Sequence, residues 1–183
     1  MMKKNFYKHY VFLKEINKLI EEKIAKFNDI SIIINIDNND KNSLKNENNI
    51  IKFAKKNKIP FLIKNNIKKC FKFNSTGVYI DATNKKIIKT QLFKRKFIII
   101  GTAHNQLEYF FKKRQNCKII ALSPIFHNPK FSINKILGTT KFNLVSRIWK
   151  IDLCALGGIN ESNIKKINIT KASAIAFQRY ITK

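Results

Sequence analysis

The chain has 183 residues, of which 44% are hydrophobic and 11% aromatic. That is enough for one domain with a real core and too apolar for intrinsic disorder. Its 37 Lys and Arg against 11 Asp and Glu give a formal charge of +26, which brings nucleic acid into view as a partner. The excess is nearly all lysine and is spread over the whole length, and arginine stands only at Arg95, Arg114, Arg147 and Arg179. Weak attraction to anions is therefore expected, and a specific nucleic-acid site is not.

The elements follow one another in a regular order. Tyr10 to Leu13 is a short apolar strand, after which Ile16, Leu19, Ile20 and Ile24 recur at helical spacing. Ser31 to Ile36 is a second strand. Asp37 to Asn49 is a polar loop leading to a helix with Ile50, Ile51, Phe53 and Ala54 on its apolar side. Pro60 to Ile63 is a third strand, Ile67 to Phe73 a short helix and Gly77 to Ile80 a fourth strand. Phe97 to Ile100 is a fifth, ending at Gly101. His104 to Arg114 is predicted as a helix with Leu107, Phe110 and Phe111 facing inward. Lys118 to Leu122 is a sixth strand. A loop with Pro124, Pro129 and Gly138 then leads to a helix through Phe142, Leu144, Val145 and Ile148. Ile151 to Leu156 is a seventh strand and stops at Gly157-Gly158. Asn160 or Ser162 would cap the next helix, with Glu161 in its first turn and Ile164 and Ile167 on its apolar side. Ala172 to Phe177 is an eighth strand, leaving only Gln178 to Lys183 for a last helix.

Short, continuously apolar strands alternating with amphipathic helices make a parallel sheet covered by helices. Eight such units predict a closed (β/α)8 barrel spanning residues 1–183 as one domain, with a truncated last helix. An open flavodoxin-like or Rossmann sheet is the runner-up. Against it, no Gly-x-Gly-x-x-Gly follows the first strand. Cys70, Cys117 and Cys154 are odd in number, far apart and set among apolar residues, which fits free buried thiols. No apolar run approaches a membrane span, and Met1 to Lys14 lacks a leader pattern, so a cytoplasmic protein is expected.

A barrel of this kind carries its chemistry at the C-terminal ends of the strands, often with phosphate held after strands seven and eight. Lys64, Asn65 and Asn66 follow strand three, and Asp81 to Asn84 follow strand four. Gly101, Thr102 and His104 follow strand five, Ser123 to Lys130 strand six, Gly157 and Gly158 strand seven, and Gln178 and Arg179 strand eight. Glycines at a strand-to-helix turn let the backbone come close to an anion and offer it free N–H groups. His104 is equally compatible with capping or packing, and Asp81 with forming a turn.

Several of these pieces, in order, resemble thiamine phosphate synthase and the related thiazole tautomerases. Gly77-Val-Tyr-Ile resembles that family's Gly-Val-His-Leu strand. Ile-Ile-Gly101-Thr-Ala-His104 resembles its Gly-x-Ser-x-His segment. Leu122-Ser-Pro-Ile-Phe126-His-Asn128-Pro-Lys130, followed by Gly138, resembles its Gly-Pro-Ile-Phe-x-Thr-x-Thr-Lys loop. Ala155-Leu-Gly157-Gly158-Ile resembles Ala-Ile-Gly-Gly-Ile. The likeness covers about Pro60 to Ile181.

The resemblance implies a transferase that joins hydroxymethylpyrimidine diphosphate to a thiazole phosphate with release of pyrophosphate. Phosphorylated small molecules are the implied partners, and oligomeric state is left open. On this resemblance Gly157, Gly158, Asn128, Gln178 and Arg179 would bind phosphate, and His104, Lys64 and Lys130 would serve the reaction. The magnesium the family uses would sit at Asn65 and Asn84, where neutral amides replace aspartates. The family's second-strand Gln-x-Arg-x-Lys set has no counterpart in Ile32 to Asp40, and Phe131 falls at its loop lysine unless Lys130 takes that role by a shift of one. Tautomerase chemistry fits less well, because Pro124 stands where such enzymes use histidine. Two further readings stay open: a non-catalytic relative that binds a phosphorylated ligand, and a basic nucleic-acid binder.

Overall fold

A computed structural model describes residues 8–36, 41–87, 97–129 and 131–182; of Arg179 and Thr182 only the main chain is described. Eight strands, β1 (Lys8–Leu13), β2 (Ile30–Ile34), β3 (Phe61–Lys64), β4 (Gly77–Ile80), β5 (Ile98–Ala103), β6 (Ile119–Leu122), β7 (Asp152–Leu156) and β8 (Ala174–Phe177), pair in sequence order. Every pairing is parallel, and β8 returns to β1 with Val11 opposite Phe177, closing the barrel. The expected (β/α)8 cylinder is therefore the fold, and the open-sheet alternative is not. Among the described residues no helix is long and apolar enough to cross a membrane.

Strand alternation divides the core into two layers. Tyr10, Phe12, Ile33, Leu62, Tyr79, Ile100, Ala121, Cys154, Ala174 and Ala176 fill the barrel interior. Val11, Ile32, Ile63, Val78, Ile120, Ala155 and Ile175 point outward under the helices. The helices are α1 (Lys18–Ile24), α2 (Lys41–Lys56), α3 (Ile67–Lys72), α4 (Gln106–Arg114), α5 (Gly138–Ile148) and a four-residue α6 (Arg179–Thr182). Asparagine starts three of them: Asn17, Asn66 and Asn105 each accept the N–H three residues on, at 2.9–3.0 Å. The three cysteines are buried thiols, none of them in a disulfide.

Three local expectations need correction. Residues 41–49 are helix rather than loop, because α2 begins at Lys41. Its asparagines are poor helix formers, but buried Ile50, Ile51 and Ala54 dock it, and buried Glu47 meets Lys69 of α3 at 2.5 Å. On α4 the inward residues are Tyr109 and Lys112, whereas Leu107 and Phe110 are exposed and Phe111 is half-buried. The helix starts after Asn105, not at His104, and that start sets which face packs. The α5 helix does run through Phe142, Leu144, Val145 and Ile148 as expected, with Phe142 buried and Leu144 and Ile148 exposed. After Gly158 the chain makes turns and then a 3-10 helix, Ile164–Ile169, in place of an α-helix. Asn160 organises that turn, its Oδ1 accepting from the N–H groups of Ser162 and Asn163 at 3.0 and 3.2 Å.

Candidate active site

Continuing the alternation two residues past Tyr79, Ile100, Ala121 and Ala176 brings Asp81, Thr102, Ser123 and Gln178 to the mouth of the barrel. There a cavity of about 910 Å³ opens at the C-terminal mouth. Tyr79 forms part of its floor, its hydroxyl hydrogen-bonded to Thr102 Oγ1, and burial pushes that phenol well above its ordinary pKa.

One wall is the glycine turn. Gly157 and Gly158 have φ of +93° and +73°, left-handed values that glycine adopts without strain. A Cβ on Gly158 would lie 2.4 Å from the carbonyl oxygens of both Phe126 and His127, so the two loops pass closer than any side chain permits. The glycine carbonyls are taken: Phe126 N–H donates to Gly157 O at 3.0 Å and Asn163 Nδ2 to Gly158 O at 2.8 Å. The glycine N–H groups donate to no partner among the described residues, and both glycines line the cavity. Any anion held on this wall would rest on these amides alone, since the six-residue 3-10 helix beyond offers no useful dipole.

His104, Asn128 and Gln178 line the same cavity. The His104 ring approaches Ser123 O through Nδ1 at 2.7 Å. A carbonyl only accepts, so Nδ1 carries a proton in this contact, and Nε2 is the ring nitrogen left for another partner. The His104 N–H donates to Glu108 Oε2 at 2.6 Å while Asn105 caps Glu108 N–H at 2.9 Å, a close variant of a capping box. Glu108 is a support that the sequence reading missed, although its place three residues after Asn105 signals it.

The second cluster joins Lys64, Asn65 and Asn84 through Asp81, which itself reaches the cavity. Asn65 adopts φ +51°, a conformation asparagine tolerates, and donates Nδ2 to Asp81 Oδ2 at 2.7 Å. Asp81 Oδ1 accepts from Thr83 Oγ1 at 3.0 Å and from Asn84 N–H at 2.9 Å, and Lys64 Nζ lies 3.7 Å from Oδ2. Burial works to raise the Asp81 pKa, but these donors and the Lys64 charge outweigh it and hold the carboxyl below its ordinary value.

Asn65 and Asn84 do not suit magnesium. Asn65 Oδ1 already accepts from Asp81 N–H and Asn84 Nδ2, and Asn84 Oδ1 from Lys86 N–H. Among the described residues no three of His, Cys, Asp and Glu gather where they could hold a metal ion. The donor set is neutral and internally satisfied, a poor match to a hard dication.

The sequence-derived residues therefore fall into two adjoining groups. His104, Asn128, Gly157, Gly158 and Gln178 surround the cavity; Lys64, Asn65 and Asn84 stand behind Asp81 and do not line it. Lys130 lies outside the described residues, and Arg179 is described only in its main chain, at the start of α6.

A model of the family described as thiamine monophosphate synthase matches residues 8–181. The chain belongs to that family. Curated relatives include the thiamine-phosphate synthases of Pelagibacter ubique, 26% identical over 133 residues, and Helicobacter pylori, 28% identical over 139. Each alignment takes in 72% of this chain, but only 64% and 62% of those proteins, so the chain spans less than two thirds of the curated relatives it matches. Among solved structures, thiamine phosphate pyrophosphorylase from Pyrococcus furiosus superposes with a TM-score of 0.71 at 17% identity, covering 95% of this chain and 86% of that one. A Zymomonas mobilis 2-keto-3-deoxy-6-phospho-gluconate aldolase gives 0.65 at 9% identity, covering 94% and 82%, a likeness of fold alone. The family match also takes in residues 8–59, ahead of Pro60, where the motif likeness begins.

Proposed function

We propose that this family member joins hydroxymethylpyrimidine diphosphate to a thiazole phosphate. The carbon–oxygen bond to the diphosphate breaks, pyrophosphate leaves with its electron pair, and the thiazole ring nitrogen captures the carbocation to form the new carbon–nitrogen bond. The observation that carries this reading is the pair of left-handed glycines at the cavity wall, whose N–H groups have no protein partner among the described residues. They would take the thiazole phosphate, with Asn128, Gln178 and Arg179 beside them. His104 would offer Nε2 to the substrates. Lys64, across Asp81, and Lys130 would supply positive charge toward the departing pyrophosphate. Asn65 and Asn84 do not fit magnesium, so no step is assigned to it.

The test is turnover of the two substrates to thiamine phosphate, with Gly158→Asp as the inactive control. Lys64→Met should lower kcat/KM by about tenfold or more, as expected for loss of one electrostatic contact, and chelation of magnesium should leave turnover intact. Activity indifferent to Lys64→Met, or abolished by chelation, would refute the assignment of charge. A second reading, a non-catalytic relative that binds a phosphorylated ligand, is favoured by the neutral Asn65–Asn84 pair. Thiamine phosphate binding that Gly158→Asp abolishes, without turnover by the unaltered protein, would decide for it. A steep salt dependence of nucleic-acid binding, unaffected by Gly158→Asp, would favour neither.

A further inference from the structure

Behind the cavity wall formed by Asp81, Ala82 and Thr83 a lysine side chain is fully enclosed. Lys112, on the inward face of α4, is 0% exposed. Its stem crosses the outer face of β5 at Gly101, where a Cβ would come 2.7 Å from Lys112 Cδ. The missing side chain there makes room for the lysine. Its Nζ ends among three oxygens: Asp81 O at 2.5 Å, Asn84 O at 2.9 Å and Gln115 Oε1 at 3.1 Å. Gln115, equally buried, donates Nε2 to Asn84 O and Lys86 O, both at 2.8 Å.

Satisfying three acceptors at one nitrogen takes three N–H bonds, and only the protonated amine has them. Two main-chain carbonyls and an amide oxygen are also the kind of donor set that holds a hard cation. Here that set closes on the chain's own ammonium. The same turn is tied on its other side by Asp81 Oδ1 to Thr83 and Asn84, so Lys112 and Gln115 complete a clamp around residues 81–86.

We propose that Lys112 is a built-in cation that fixes the Asp81–Lys86 turn, and is thereby a positioning residue for the cavity wall and for the Lys64–Asn65–Asp81 cluster. The holding of the turn is independent of the transferase reading; only its effect on turnover rests on that reading. Burial draws the amine's pKa below the ordinary lysine value, opposed by Cys117, Asp81 and Glu108, as a desolvated ammonium requires.

Two measurements test it. Nitrogen-15 NMR of the lysine side chains in the unaltered protein should show a slowly exchanging ammonium, coupled through hydrogen bonds to the carbonyl carbons of Asp81 and Asn84. In Lys112→Met, amide exchange at residues 82–86 should accelerate at least tenfold while the strand amides keep their protection, and kcat/KM should fall by a similar factor. An absent protected ammonium overturns the proposal, and decides the matter even if Lys112→Met does not fold. So does a folded Lys112→Met whose turn exchanges as before, or whose loss of protection is spread evenly over the barrel. Inactivity of the unaltered protein would instead strike the transferase reading, leaving the exchange result to stand.

Discussion

Gly158 and Gly138 form a natural pair for weighing close approach against backbone conformation. Both sit in the left-handed region, at φ +73° and +63°. A Cβ on Gly138 would meet nothing within 4 Å, whereas one on Gly158 would strike the Phe126 and His127 carbonyls at 2.4 Å. Gly138→Ala therefore bears only the left-handed cost of an L-residue, about 1 kcal/mol, or about 2–4 °C in Tm for a chain of this size. Gly158→Ala bears that and the displacement of two backbone carbonyls. Overpacking of this kind costs roughly 1–3 kcal/mol, so the combined loss is about 2–4 kcal/mol. The displaced loop carries Asn128, so the proposed phosphate contacts should loosen as well. Thermal unfolding of both variants gives the stabilities, and calorimetric titration with thiamine phosphate gives the affinities. Gly158→Ala should lose at least twice the Tm of Gly138→Ala and bind at least tenfold more weakly, about 1.4 kcal/mol. Equal Tm losses, or an unchanged affinity in Gly158→Ala, would refute the claim that two loops are held together here by the absence of a side chain.

Further outcomes follow from the same geometry. Glu47→Ala removes the buried carboxylate that Lys69 meets, 5% exposed where Lys69 itself is 20% exposed. The loss in urea unfolding should be about 1–3 kcal/mol, below the figure for a fully buried pair because Lys69 can reach water. Asp81 is held below its unfolded value of 3.8, so its contribution is complete above about pH 5 and disappears as pH falls through the folded value. Exchange in the turn, corrected for its intrinsic pH dependence, should stay level near neutrality and rise only in that acid range. Asp81→Asn should abolish the rise. Tyr79→Phe leaves the Thr102 hydroxyl without its phenolic partner in the barrel floor, and should cost about 1–3 kcal/mol in the same unfolding assay.

Periodicity carried the fold because the strands are read by composition alone. Ile32-Ile-Ile and Ile98-Ile-Ile are apolar on both faces, as in a parallel sheet buried on both sides, and the count of eight such units favours the closed barrel over a doubly wound sheet. Helix faces were harder. On α4, Leu107 and Phe110 outweigh Tyr109 and Lys112 in apolarity, yet the latter pair faces inward. What decides this is outside the helix: the Asn105 cap sets its phase, and Gly101 leaves a slot that a long side chain fills. The α2 start was hidden for a related reason, since Glu47 reads as solvated until its partner Lys69 is known. In the site, the glycine pair was legible because its signal is local, two residues without Cβ at a strand end. Lys112 was not, being one of many lysines, distinguished only by a contact across 31 residues to Asp81.

The two ends of that contact bear on Asn65 and Asn84, the asparagines that the resemblance sets at metal positions. A dication bound there would have to displace the Asn84 Nδ2 and Asp81 N–H bonds from Asn65 Oδ1, and compete with Lys64 for the carboxylate. The turn has no unmet need for such an ion, because its carbonyls are already drawn together by the Lys112 ammonium from beneath. What remains to be supplied is charge facing the cavity rather than order in the wall. Substituting Asn65→Asp together with Asn84→Asp would add two negative charges beside Asp81, and Lys64 alone cannot balance three carboxylates. That variant should gain a divalent-cation dependence in its unfolding temperature that the unaltered chain lacks. If the unaltered chain is stabilised by magnesium to the same degree, the wall is held by metal after all and the internal ammonium is incidental.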